Sequence, residues 1–143
     1  MQIKFKKLCN DAIIPEYKTA GSAGMDICTI DDYILMPGER KVFQTGLAVA
    51  VEDGYEVQVR ARSGLSAKEG VTVINGVGTI DSDYRGEIGV ALVNLNHNCH
   101  VTIHKGDRIA QLVVNKIEQP EIIVVDELGE TIRGEGGFGS TGK

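Results

Sequence analysis

Apolar and polar side chains alternate along most of this chain with a period of two residues. In residues 55–62, YEVQVRAR, every second side chain is apolar or aromatic and the side chains between them are mostly polar or charged. Such alternation puts the two sets on opposite faces of a β-strand. Further strands are predicted at QIKF, RKVFQT, LAVAV, VTVI, EIGVALVNL, HVTIH, RIAQLVV and EIIVV.

Turn signals separate these stretches at short intervals. Only residues 63–70, SGLSAKEG, have helical character, over about two turns. Many short strands with almost no helix predict an all-β protein, a jelly-roll-like sandwich or barrel with one short helix. The turn signals are Pro37-Gly38, Asp53-Gly54, Asn75-Gly76, Asn96 to Asn98 and Lys105-Gly106.

Two of the predicted strands are apolar on both faces or nearly so. They are VALVNL and IAQLVV, within residues 87–95 and 108–114. Strands of this kind are usually buried on both sides. Because the chain has only 143 residues, we expect another subunit to cover part of the second face.

Length and composition limit the class of protein. The chain has the size of one domain, and 42% of its residues are hydrophobic. It has no membrane-length apolar run and no signal-peptide core, and its cysteines, at positions 9, 28 and 99, are odd in number. We therefore expect a cytoplasmic protein with reduced thiols and no membrane partner. The net charge of −5 argues against nucleic acid as a partner.

The stretch VINGVGTIDSDYRGE carries the first candidate chemistry. Asn75-Gly76 between apolar runs predicts a β-hairpin, and Gly78 leaves backbone bare enough for a flat ligand to approach. After the returning strand, Asp81 could take a proton from water and Tyr84 could pack against a sugar. A polar β-turn is the alternative interpretation.

Three other stretches carry polar groups that could bind a ligand. Arg62 precedes Ser63-Gly64 at the start of the predicted helix, an arrangement that suits either simple N-capping by the serine or phosphate binding. Asp26 is a lone acid in the strand AGMDI, and such a residue is often a turn residue. Gln111 lies in an apolar strand, where a buried amide needs partners.

Glycine dominates the last stretch, RGEGGFGSTGK, which also has an aromatic, two hydroxyls and an arginine. It suits either a loose end or a lid that closes on phosphate. A cluster of histidines and a cysteine, His97, Cys99, His100 and His104, is not predicted to bind zinc, because alternation in a strand would divide it between two faces.

Taken in order, AGMDI, ARSGLS, GTIDSDYRGE, KGDRIAQL and RGEGGFGSTG closely resemble the five motifs of the trimeric deoxyuridine triphosphatases (dUTPases). The resemblance spans residues 23–142. One departure is Ala61, where the family usually has proline, so the end of that strand is expected to be slightly looser.

The resemblance implies a jelly-roll homotrimer with sites shared between subunits. It implies hydrolysis of dUTP to dUMP and pyrophosphate with Mg²⁺, which keeps uracil out of DNA and supplies dUMP for thymidylate synthesis. Residues 1–127 would form the core, and residues 128–143 would form a flexible lid over the site.

The resemblance also assigns roles to residues. Asp81 would activate the water that attacks the α-phosphorus, Tyr84 would lie against the deoxyribose, and Asp26 would contact Mg²⁺ through water. Uracil would be read at Asn75, Gly76, Val77 and Gly78. Phosphates would be held by Arg62, Ser63, Gly64 and Gln111. The lid would contribute Arg133, Phe138, Gly139, Ser140 and Thr141, with the phenyl ring stacked on uracil.

Two other functions are compatible with a similar fold. A dCTP deaminase has a similar fold, but the Asp81-x-x-Tyr84 spacing and the Phe-Gly-Ser-Thr tail favour the hydrolase. A non-catalytic interaction protein on this fold could lose its acid or its tail, and this chain keeps both.

Overall fold

A computed structural model describes residues 1–138, which fold into eleven strands and one short helix. This confirms the predicted all-β class. The elements are β1 (Lys4–Lys7), β2 (Met25–Cys28), β3 (Tyr33–Leu35), β4 (Arg40–Gln44), β5 (Leu47–Ala50), β6 (Tyr55–Arg60), α1 (Ser63–Glu69), β7 (Val71–Val73), β8 (Val77–Ile80), β9 (Gly89–Asn94), β10 (Val101–Ile103) and β11 (Arg108–Lys116).

All strand pairs are antiparallel, and two larger sheets carry most of the core. One sheet has the order β2-β11-β6-β8 and the other the order β4-β9-β7, with two-stranded pairs β1-β5 and β10-β3 beside them. The inward side chains of both sheets meet in one apolar cluster, and the outward side chains, which are more polar, lie on the surface. Its largest fully buried members include Phe43, Ile27, Leu35, Leu47, Leu92 and Leu112.

Helix α1 begins one residue earlier than a serine cap would require. Arg62 occupies the N-cap position and makes no side-chain capping bond, so the interpretation of Ser63 as a cap is wrong. Arginine has no acceptor for a helix N–H, and this guanidinium is hydrogen-bonded to Asp26 instead. The helix ends at Glu69 and is capped by Gly70, whose backbone is left-handed with φ 72°.

The turn at Asn75-Gly76 forms, but the predicted hairpin does not. Gly76 has φ 73°, and its N–H donates to the Val73 carbonyl over 3.1 Å. The strands on either side then separate, because β7 pairs with β9 while β8 pairs with β6 in the other sheet. This turn therefore connects the two sheets and leaves a gap between them.

The predicted strand EIIVV is wrong. Strand β11 ends at Lys116, and residues 117–138 contain no helix or strand. Ile122 is 92% exposed and Val124 is 94% exposed. β-branched residues favour strands only where a neighbouring edge and an apolar face are available, and no strand of the described residues pairs with this segment.

That another subunit covers part of the second face of the two-sided strands remains a prediction, and Val42, beside Ala91 of β9 on that face, is 52% exposed. Val93 and Val113, on the second faces of β9 and β11, are each only 8% exposed in a single chain.

The division at residues 127 and 128 remains a prediction. Among the described residues, no helix has the length and apolar character to cross a membrane. Gly139, Ser140 and Thr141 of the predicted lid lie outside those residues.

Candidate active site

The first group of candidate residues lies on the outer face of β2, β11 and β6. Asp26 is opposite Gln111, and Gln111 is opposite Arg60, two residues before Arg62. The Asp26 carboxylate accepts from Arg62 Nε at 3.0 Å through one oxygen and from Arg108 Nη1 at 2.9 Å through the other. After the role predicted for Arg62 and Gln111, we call Asp26, Arg62, Arg108 and Gln111 the phosphate half.

The Gln111 side chain lies between Ala61 and Gly24. Its Nε2 donates to the Ala61 carbonyl over 3.1 Å, which meets the amide's predicted need for a partner. A side chain at position 24 would place its Cβ 2.5 Å from Gln111 Oε1, so this approach requires Gly24. The strand end at Ala61 is therefore fixed by this hydrogen bond without the proline.

The phosphate half carries a net positive charge, because one carboxylate lies between two guanidiniums. Burial raises the pKa of the adjacent Cys28 thiol, and the Asp26 carboxylate raises it further. The thiol therefore stays neutral near pH 7 and adds no negative charge. The first N–H groups of α1, from Ser63 and Gly64, have no partner within a helix and can donate to an anion.

The second group surrounds the gap between the two sheets. A cavity of about 120 Å³ opens where β7 and β8 separate. Its wall at Gly78 is bare backbone, and a Cβ there would lie 3.1 Å from Val59 Cβ and 3.4 Å from Asn75 Nδ2. The cavity is lined by Val59, Val73, Asn75, Gly78, Thr79, Ile80, Gly89 and Ala91.

Asp81 and Tyr84 line an adjoining cavity of about 180 Å³, which shares Thr79, Ile80 and Gly89 with the first. Asp81 is exposed, and its backbone carbonyl accepts from the Tyr84 N–H over 3.2 Å. The Tyr84 hydroxyl donates to the Glu87 carbonyl over 3.1 Å. This hydroxyl lies 2.2 Å from where a Cβ of residue 86 would be, so its position requires Gly86.

After the uracil-binding role predicted for residues 75–78, we call Asn75, Gly76, Val77, Gly78, Asp81 and Tyr84 the base half. It begins beside the phosphate half and runs away from it, since Val77 pairs with Arg60 while Ile80 pairs with Val57. From Asp26 to Val77 is three strand spacings, about 14 Å, and four residues along β8 add about 14 Å at right angles. Asp81 therefore lies roughly 20 Å from Asp26 in the same chain.

The described part of the tail approaches neither half. Arg133 Nε donates to the Gly136 carbonyl over 2.8 Å, within its own segment. The Phe138 ring is fully exposed. No group of three or more His, Cys, Asp or Glu side chains within residues 1–138 is arranged to hold a metal ion.

The chain is similar to known proteins over nearly its whole length. The dUTPase family model matches residues 10–142. The chain belongs to the dUTPase family. A deoxyuridine 5'-triphosphate nucleotidohydrolase of Nautilia profundicola is 57% identical over the whole of both chains. One from Wolinella succinogenes is 52% identical over all of this chain and 95% of its own.

Solved dUTPase structures share the fold. A mutant of the Staphylococcus bacteriophage 80alpha dUTPase with dUpNHpp has a TM-score of 0.90 and 31% identity, with 99% of each chain covered. A mutant dUTPase from phage phi11 of S. aureus, which coordinates a structural Mg(II) ion, has a TM-score of 0.84 and 26% identity. That likeness covers 91% of this chain and all of the phage chain.

These findings confirm the predicted dUTPase, an enzyme that hydrolyses dUTP. The structure brings Asp26, Arg62 and Gln111 together. It places Asp81 and Tyr84 at a separate site beyond the end of β8. Sequence reasoning overlooked Arg108, although the motif KGDRIAQL contains it. A charged residue just before an apolar strand is usually a solvated end, so the sequence gives no signal of its contact with Asp26.

Proposed function

We propose that this dUTPase binds uracil in the gap between its sheets and hydrolyses dUTP to dUMP and pyrophosphate at Asp81. The observation that carries this proposal is an exposed carboxylate and a tyrosine ring at the mouth of a small, partly apolar cavity. In this arrangement uracil meets Asn75 and the backbone of Gly76, Val77 and Gly78. The absence of a side chain at Gly78 lets the base approach the backbone, and the small size of the cavity, about 120 Å³, would exclude a 5-methyl group.

Asp81 is the proposed general base. An exposed carboxylate can accept a proton from water as that water attacks the α-phosphorus, and the pyrophosphate then leaves with its electron pair. Tyr84 lies against the deoxyribose, where its ring excludes a 2'-hydroxyl. The hydrogen bond from Tyr84 to Glu87 and the bare backbone of Gly86 support this placement.

The donor set of the phosphate half is compatible with Mg²⁺. Mg²⁺ is commonly held by one or two carboxylates together with substrate phosphates and water, and Asp26 is the single carboxylate here. Asp26 would hold the ion through water, and Arg62, Ser63, Gly64 and Gln111 would hold the phosphates. The bound ion would neutralise charge on the triphosphate.

We further propose that each site is shared between subunits of a homotrimer. In one chain the base gap lies between Asp81 and that chain's own phosphate half. In dUTP, however, the sugar lies between the base and the α-phosphorus that Asp81 must reach. With uracil in the gap, the triphosphate therefore points away from the chain's own Arg62. A second copy is needed to supply that residue.

The lid is proposed to complete this site. The tail beyond β11 makes no described contact with either half, which leaves it free to serve a site on another subunit. Phe138 would stack on uracil, and Arg133, Gly139, Ser140 and Thr141 would close on the phosphates. A closed lid excludes water and aligns the attack.

A product assay tests the proposed function. Purified full-length protein with Mg²⁺ is given dUTP, dCTP, dTTP and UTP separately, and pyrophosphate, ammonia and nucleotide are measured. We expect dUMP and pyrophosphate from dUTP alone, in equal amounts. Ammonia release from dCTP would identify a deaminase, and equal turnover of all four would identify a general triphosphatase.

A further inference from the structure

Strand β11 has an irregularity where it passes Asp26. Arg108 pairs with Cys28 and Ala110 pairs with Ile27, so two steps along β11 match one step along β2. This is a β-bulge with Ile109 as the extra residue, and Ile109 is buried. Bulges of this kind redirect side chains and are frequent beside active sites.

The bulge changes which face Arg108 occupies. In a regular strand, residues 108 and 111 are three apart and would lie on opposite faces. Here Arg108 and Gln111 both lie on the outer face, opposite Cys28 and Asp26 respectively. Because of the bulge, Arg108 can reach the Asp26 carboxylate.

Arg108 contacts the phosphate half in two ways. Its Nη1 donates to Asp26 Oδ2 over 2.9 Å, and its backbone carbonyl accepts from Arg62 Nη1 over 2.9 Å. Since Arg62 Nε donates to the other Asp26 oxygen, the three residues form a closed ring of hydrogen bonds. Their side chains are 18%, 26% and 48% exposed for Asp26, Arg62 and Arg108 respectively.

The ring has a consequence for the ligand. Asp26 would otherwise carry an unbalanced negative charge where a triphosphate must bind. Both of its oxygens are engaged, yet an ionised carboxylate has about four acceptor sites and can accept further hydrogen bonds. Arg62 likewise uses Nε and Nη1 within the protein, which fixes its guanidinium plane and leaves Nη2 for an anion.

We propose that Arg108 is a positioning residue, which acts through Asp26 to hold the carboxylate toward the metal-bound triphosphate. This inference rests on the proposed function, because it assumes that Asp26 holds Mg²⁺ through water. Outer partners of metal-binding groups contribute about 10–100-fold to metal affinity or activity. We expect an effect of that size from Arg108.

The test measures binding as well as activity. Binding of dUpNHpp is titrated calorimetrically at several Mg²⁺ concentrations for the native chain and for Arg108→Gln. We expect Mg²⁺-dependent binding to weaken about 10–100-fold, while binding of dUMP, which lacks the β- and γ-phosphates, stays unchanged. Arg108→Lys retains the charge and should recover part of the loss.

A double-mutant cycle separates positioning from direct contact. If Arg108 acts through Asp26, then Arg108→Gln has little further effect in a chain that already carries Asp26→Asn. If the two losses multiply instead, Arg108 acts on the ligand independently and the proposal is overturned. The matched control is Lys116→Gln, which makes the same charge change at the exposed end of the same strand.

A folding control and an activity control separate the possible causes of a negative result. If Arg108→Gln fails to fold, as judged by its melting curve and oligomeric state, the cycle is repeated with Arg108→Lys, and multiplying losses again overturn the proposal. If the native chain releases no pyrophosphate from dUTP, the proposed function fails. If the native chain is active and Arg108→Gln binds Mg²⁺–dUpNHpp normally, only the positioning role fails.

Discussion

The two halves of the site are built in opposite ways. In the phosphate half, Asp26, Arg62, Arg108 and Gln111 are already hydrogen-bonded to one another or to backbone before any ligand arrives. In the base half, Asp81 is exposed and, among the described residues, no side chain hydrogen-bonds to its carboxylate. Fixed charges suit a ligand group that every nucleotide shares, whereas a gap shaped by backbone suits the choice of one base.

The largest expected effect concerns that choice. If selection belongs to the base half, kcat/KM for dUTP should exceed that for dCTP by roughly 10⁴, because cytosine would leave polar groups of the gap unpaired. Pyrophosphate release with each nucleotide measures this ratio. Similar values for dUTP and dCTP would mean that the phosphate half dominates recognition.

Asp81→Asn should separate chemistry from binding. The amide keeps the shape of the side chain but cannot accept the proton, so turnover should fall by about 10²–10⁴-fold. Affinity for dUpNHpp should be unchanged, since the phosphate half is untouched. Near-normal turnover in this variant would show that another group activates the water.

In each half one side chain lies close to the backbone of a glycine, Gln111 at Gly24 and Tyr84 at Gly86. Alanine at the two glycines should therefore impair different properties of the enzyme. Gly24→Ala displaces Gln111 and should weaken binding of the triphosphate, while Gly86→Ala displaces Tyr84 and should reduce discrimination against UTP. Both clashes fall on the outer atoms of a side chain rather than on backbone, so the effects should appear in binding and selectivity rather than in folding stability. Affinities for dUpNHpp and dUMP, and the dUTP to UTP ratio of kcat/KM, distinguish them.

Gly21→Ala is the matched control for both variants, because a Cβ there meets nothing within 4 Å. It should behave like the native chain. If Gly24→Ala and Gly86→Ala changed the same parameter equally, the two halves could not be regarded as separate units.

Mixing inactive chains tests whether the halves meet across subunits. Chains with Asp81→Asn and chains with Arg62→Ala are unfolded and refolded together in equal amounts. If each site takes its base half and its phosphate half from different copies, random assembly of a closed trimer makes about a quarter of the sites competent. Heterotrimers with no activity would contradict the shared site.

The same design examines the tail. A chain ending at Glu127 is mixed with Asp81→Asn, so that a site can work only with Asp81 from the truncated chain and the tail from the other. A tail that crosses again gives about a quarter of the sites. A tail that closes over its own subunit's Asp81 gives no recovery in confirmed heterotrimers.

Much of the fold could be predicted from the sequence, because a strand with one buried face shows alternating apolar and polar residues. YEVQVRAR became β6, and SGLSAKEG became α1, one residue shorter than predicted. The failures came where an element needs a distant partner. EIIVV has strand propensity but no neighbouring edge in the described chain, and the strands beside Asn75-Gly76 pair with β9 and β6 rather than with each other.

The set of reactive groups follows from the amino-acid sequence alone, since each motif carries its acid, arginine, amide or tyrosine in a fixed order. Which of these groups lie together depends on the folded structure, because strand order and register are set by long-range pairing. The order β2-β11-β6-β8 gathers Asp26, Arg62 and Gln111, and it leaves Asp81 beyond the far end of β8. The extra residue Ile109 moves Arg108 to the face of the sheet that carries Asp26. The alternation of apolar and polar residues along the chain does not predict this bulge.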